Sequence, residues 1–184
     1  MRDVKKLISE IIPPADYTHR NGFTNEFKID SLNANERCEV EKGLLILLKK
    51  SSDDLVVNTL AYMKSVDSIP ILKTRLSSTT KPINKIHLAK AIFKIDPNQA
   101  AMKDIAFEEF EKISEEFELI GSFHLLIHFQ DDQINTLIQK YIDDKRYLVA
   151  YNARTSLGID TRELIEREQS SRLPKKAWWK IWQV

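Results

Sequence analysis

Apolar residues recur at helical spacing along almost all of the chain after residue 31, and one kind of punctuation interrupts them. Asp67, Asp96, Asp131 and Asp160 each follow an apolar residue (Val66, Ile95, Phe129 and Ile159), directly or within two positions, and each precedes a fresh amphipathic run. An aspartate so placed reads as a helix N-cap, because its carboxylate accepts hydrogen bonds from first-turn N–H groups that lack a partner inside the helix. Pro97 stands where a first helical residue tolerates proline, and Asp160 with Glu163 has the spacing of a capping box. The aspartates lie 29, 35 and 29 residues apart. That interval holds two helices and a turn, the period of a helical solenoid.

The pattern predicts helices near 2–12, 33–50, 53–66, 68–78, 83–95, 98–113, 115–129, 132–143, 145–158 and 161–171. "GFTNEFKI", near residue 25, is the one short strand candidate, inside a long connection, "PPADYTHRNGFTNEFKIDSLNAN", expected to be non-helical. At 184 residues the chain suits one all-α domain with a real core.

"HLAKAIFKIDPNQAAMKDI" and "AYNARTSLGIDTRELI" resemble the HEAT-type repeat, in which a first helix ends Ala–Leu–Gly–x–Ile before an aspartate turn and a second helix. The resemblance spans residues 53–171 and implies a short right-handed α-solenoid of about four helix pairs. Residues 1–50 would form an N-terminal cap and residues 172–184 a C-terminal tail. Only Leu157-Gly158 matches the Leu–Gly step outright, and the third repeat, with "LLIHFQDD", departs most. An irregular helical bundle is the alternative.

Little in the sequence points to catalysis or a cofactor. Four scattered glycines make no phosphate-cradling loop, and no Gly–x–Ser–x–Gly elbow occurs. His124 and His128 have the spacing of two zinc ligands on one helix face, but Leu125 stands where a metalloprotease motif needs glutamate, so histidines of the core or a groove edge are the expectation and no metal is assigned. His87 reads as a surface or edge residue, and His19 lies in the N-terminal connection near Asp16 and Tyr17. The single cysteine, Cys38, reads as a small half-buried helix residue. Lys plus Arg number 28 against 27 Asp plus Glu, a balance that singles out no nucleic acid. No segment approaches the ~18 apolar residues of a membrane span, and Glu10 interrupts the N-terminal apolar run, so a soluble cytoplasmic protein is expected.

Two surface features offer binding. In "KDIAFEEFEKISEEFE", Met102, Ile105, Ala106, Phe110 and Ile113 form one apolar stripe on a helical wheel, while Asp104, Glu108, Glu111 and Glu115 fall opposite. Glu109, Glu116 and Glu118 add local acidity, and only Lys103 and Lys112 offset it. This face is either simply solvated or a docking surface for a basic partner. The tail "RLPKKAWWKIWQV" carries Trp178, Trp179 and Trp182, which would be costly to leave in water. The tail either packs back on the last repeat, anchors a partner, or inserts into an anionic membrane surface.

The leading expectation is a non-catalytic module that binds one protein. In size, architecture and acidic face the chain resembles small helical-repeat immunity proteins of contact-dependent growth inhibition. The resemblance implies an antidote to a basic toxin domain, plausibly a nuclease. A small repeat scaffold or assembly factor is the competing reading; an enzyme of the DNA-alkylation-repeat type, which needs a basic groove, or a metal-dependent enzyme fits less well.

Overall fold

The computed structural model describes residues 3–172 and is helical throughout, with no strand among the described residues. The chain divides between Ile113 and Ser114 into two compact units.

The first unit holds α1 (Val4–Ile11), α2 (Tyr17–Arg20), α3 (Glu26–Asp30), α4 (Ala34–Lys50), α5 (Asp54–Tyr62), α6 (Ile69–Ser78), α7 (Pro82–Ile95) and α8 (Ala101–Phe110). Helix α7 is its centre: it packs against α5, α6 and α8. Its sequence explains why. Ile86, Leu88, Ala89, Ala91, Ile92 and Ile95 are all buried, so the helix is apolar on several sides, the pattern of a helix enclosed by neighbours. Helix α1 packs against α4, and α4 against α5. Helices α1 and α4 approach closely at Gly43, where an added Cβ would collide with the end of the Ile8 side chain.

The second unit holds α9 (Glu116–Leu126), α10 (Asp132–Gln139), α11 (Tyr147–Ser156) and α12 (Arg162–Arg172). Leu119, Phe123 and Leu126 of α9 and Val149, Ala150 and Ala153 of α11 are buried where these two helices pack. Helix α11 ends in a complete Schellman turn. Gly158 takes the left-handed conformation at φ +69°, Ile159 N–H bonds back to Arg154 O at 2.9 Å, and Gly158 N–H bonds to Thr155 O at 3.1 Å.

The aspartate punctuation is partly realised. Asp131 caps α10, accepting from Gln133 N–H at 3.0 Å and Ile134 N–H at 3.3 Å. Asp160 accepts from Arg162 N–H at 2.9 Å, and its carboxylate engages the Arg162 guanidinium, not a capping box with Glu163. That guanidinium holds the Asp160 carboxyl down to about 2.

Asp67 and Asp96 are not helix caps. Asp67 lies inside a 3-10 turn, Val66–Ser68, and Pro70 in the first turn of α6 removes an N–H that a cap would have served. The Asp96 carboxylate instead holds a turn, accepting from Asn98 N–H at 3.0 Å and Gln99 Nε2 at 2.8 Å, and α8 begins only at Ala101. Pro97 therefore belongs to that turn and not to a helix start.

The connection expected to be non-helical, residues 13–35, is also corrected. It contains α2 and α3, and "GFTNEFKI" folds in part as helix, not strand. Asn25 explains the ordering. It is buried, and its side-chain amide donates to Ile11 O at 3.1 Å and to Thr59 Oγ1 at 2.7 Å, while Ile29 N–H bonds Asn25 O at 3.0 Å and starts a helical turn. Cys38 is exposed on α4, not half-buried.

Candidate functional site

The acidic segment divides into three kinds of residue. The helical wheel treats 102–115 as one helix, but α8 ends at Phe110 and the chain turns before Glu116. Met102, Ala106, Phe110 and Ile113 are buried as the wheel requires, and Ile105 is half-buried. Asp104, Glu108 and Glu111 are exposed, and none of the three forms an ion pair among the described residues.

Glu109, expected beside them on the docking surface, is placed differently. It is 6% exposed, and its Oε1 accepts from Lys85 Nζ at 2.8 Å and Lys112 Nζ at 2.9 Å. Burial pushes its carboxyl up, but the two ammonium groups outweigh burial and hold it below its ordinary value. This is an internal pair joining α7 to α8.

Glu115, Glu116 and Glu118 belong to the start of α9. Glu115 is its N-cap, accepting from Glu118 N–H at 2.9 Å. Glu116 and Glu118, half-buried in the first turn, put negative charge at the positive end of the helix dipole. A local helical role accounts for all three.

Beside the exposed acids of α8 runs a groove of about 280 Å³ between α6 and α8. Leu76 and Ile105 give it apolar walls, and Lys73, Lys85, Glu108 and Glu109 give it charged edges.

A larger cleft, about 420 Å³, opens elsewhere in the first unit. The last turn of α4 (Lys49, Lys50), the link Ser51 and Ser52, the end of α6 (Arg75, Ser78, Thr79) and α7 (Asn84, His87, Leu88) line it, with Asp54 and Val57 of α5. Arg75 donates through Nη2 to the Ser51 carbonyl, and burial lowers its guanidinium from the ordinary arginine value.

His87 lies on the wall of this cleft and is 9% exposed, which corrects the surface position expected for it. Its Nδ1 lies 3.3 Å from Asp54 Oδ1 and its Nε2 lies 3.0 Å from Asn58 Oδ1. Lys90 Nζ also donates to Asn58 Oδ1, at 3.3 Å. The hydrogen bond to His87 lowers the Asp54 carboxyl, and burial lowers the Lys90 ammonium.

The histidine pair does not share one helix face. Helix α9 ends at Leu126, so His124 lies on it while His128 falls in the 3-10 segment Ile127–Phe129. His124 Nε2 lies 3.3 Å from Asn152 Oδ1. Among the described residues no three His, Cys, Asp or Glu side chains gather where a metal ion would sit. His19 pairs with Asp16 at 2.8 Å on α2. Trp178, Trp179 and Trp182 lie outside the described residues. No described helix is long and apolar enough to cross a membrane.

The cleft is absent from the sequence expectations, yet it left a signal. "KKSSDD" and "RLSSTT" are two cation- and hydroxyl-rich helix ends, and the fold brings them to one cavity. No protein-family model matches the chain, and no curated protein or solved structure is significantly similar to it.

Proposed function

We propose that this protein is a non-catalytic binding module, a short helical-repeat protein that docks a basic protein on the α6–α8 face of its first unit. The observation that carries the reading is the combination on that face. Asp104, Glu108 and Glu111 are exposed without ion pairs among the described residues, and Glu108 also edges a groove with apolar walls. Unpaired charge beside apolar surface fits a protein interface, because charge steers the encounter and apolar contact holds it.

The packing supports a repeat architecture within each unit. The first helices of successive expected pairs pack together, α5 on α7 in one unit and α9 on α11 in the other, as stacked repeats require. Pairs α5–α6, α7–α8, α9–α10 and α11–α12 would then be the HEAT-like repeats, with residues 1–50 as a cap.

The partner we favour is a basic toxin domain, which makes the chain an immunity protein. An antidote gains from fast electrostatic capture, and an acidic docking face supplies it.

The test reverses Asp104, Glu108 and Glu111 to Lys together. The variant should melt with the wild type, fail to capture the basic partner from lysate of the source cells, and fail to protect cells producing a toxin encoded beside this gene. Capture by the wild type should weaken as salt rises, because exposed charges are screened beyond ~8 Å at physiological ionic strength. Full capture and protection by the variant would remove this face from the interface.

A further inference from the structure

We propose that the cleft between the ends of α4 and α6 binds a small phosphate monoester, with Arg75, Lys49 and Lys50 neutralising its charge. The lining carries these three cations against one acid, Asp54, and that carboxylate is turned to His87 at 3.3 Å. The excess positive charge faces an open cavity.

Arg75 is the centre of the argument. It is half-buried, and three other half-buried arginines meet a carboxylate, Arg20 with Asp53, Arg146 with Asp144 and Arg154 with Asp143, whereas Arg37 donates to the Met63 carbonyl and lines no cleft described above. Among the described residues the Arg75 guanidinium bonds only to a backbone carbonyl, that of Ser51. A guanidinium has five N–H donors in a planar fork, and only the Ser51 carbonyl takes a bond from this one among the described residues, so the other donors are available to a ligand in the cleft that Arg75 lines. Removing a cation from water without a counter-charge is unfavourable, and an anion in the cleft reverses that.

The neighbouring groups decide the class of anion. Ser78 and Thr79 give their hydroxyl protons to the Arg75 carbonyl, and this ties down the α6 end and leaves them as acceptors. Ser52 and Asn84 are exposed on the rim with donors to offer, beside the ammonium groups of Lys49 and Lys50. A cleft with this many donors suits a dianion with several oxygens better than a single carboxylate. Val57 and Leu88 supply apolar wall for an organic remainder, and about 420 Å³ falls in the range of small-molecule sites.

The experiment is isothermal titration calorimetry of the full chain with inorganic phosphate and with ribose 5-phosphate, at constant ionic strength, with ribose as the uncharged control. Both phosphates should give saturable heat and ribose none. Arg75→Gln should weaken binding at least about tenfold, the scale of one charge-assisted hydrogen bond. Because Arg75 also holds the Ser51 carbonyl, the double variant Lys49→Gln, Lys50→Gln serves as a second probe. Both lysines are exposed, so it should fold as the wild type does and bind several-fold more weakly. Absence of saturable heat with the wild type, or affinity within twofold of it in every folded variant, would overturn the assignment. The Asp104, Glu108 and Glu111 reversal should leave phosphate binding intact, so this site and the docking face fail separately.

Discussion

Arg20 and Asp53 face each other through two hydrogen bonds of 2.6 Å, and the same Asp53 carboxylate caps α5 by accepting from Leu55 N–H at 2.9 Å. Arg20 also donates to the Pro13 carbonyl through Nε and Nη2, at 3.1 and 2.7 Å. One guanidinium thus ties the connection after α1 to the start of α5.

Breaking this link should be costly, because both side chains are largely shielded. Asp53→Asn and Arg20→Gln should each lose roughly 1.5–3 kcal/mol in urea unfolding at neutral pH, the scale of charge-assisted bonds, since asparagine caps a helix as well as aspartate does and the cap itself is kept. The double variant should lose less than the sum of the two. Additive losses would show that the residues act independently.

The pairing also has a pH signature. The hydrogen bond from Arg20 lowers the Asp53 carboxyl, so its contribution is fully present above the ordinary carboxylate range and is lost as pH falls through the lowered value. Glu109, lowered on balance by Lys85 and Lys112 against burial, and Asp144, lowered by Arg146, act with the same sign. Stability should therefore fall on acidification below about pH 4, and Asp53→Asn should flatten that slope. An unchanged slope would remove Asp53 from the acid response.

Two adjacent glutamates should behave oppositely. Glu109→Gln should destabilise by about 1–3 kcal/mol, because it weakens a buried pair with Lys85 and Lys112. Glu108→Gln should stay within about 0.5 kcal/mol of the wild type, since that side chain is exposed and has no ion pair among the described residues. Thermal melts of the two variants decide it, and equal losses would contradict the division.

Asn25 is a test of the N-terminal segment. Replacing it by Ala removes the donors to Ile11 O and Thr59 Oγ1 and should cost about 1–3 kcal/mol. Amide exchange should accelerate first in α3 and at the end of α1. Uniform acceleration across the first unit would show that Asn25 organises no local part.

Gly43 should accept a methyl group but not a larger side chain. The atom in the way is the free end of Ile8, which is half-exposed and can swing aside. Gly43→Ala should change stability by less than about 1 kcal/mol, as the helix-propensity gain offsets the repacking. Gly43→Leu should lift α1 from α4, seen as fast exchange confined to α1. If α1 stays protected in that variant, the close approach is not what seats it.

The sequence by itself determined what depends on near neighbours along the chain. The all-helical class follows from the 3.6-residue spacing, and Asp131 caps α10 with N–H groups two and three residues away. Gly158 ends α11 for a reason internal to its own turn. Met102, Ala106 and Phe110 are buried because one helix carries them on one side.

Tertiary structure decided whatever needs a partner from elsewhere. Asp104, Glu108 and Glu109 read alike as acids of one helix, but only Glu109 meets Lys85, 24 residues earlier, and is drawn inside. His87 reads as an edge residue until Asp54 and Asn58 close around it from α5. The 13–35 connection reads as loop because its helices are short, and the bonds that hold it run to Asp53 and Thr59, 33 and 34 residues from Arg20 and Asn25. Periodicity records which face of a helix is apolar. It carries no record of which distant group supplies a countercharge or a hydrogen bond, and those groups exist as neighbours only once the helices have packed.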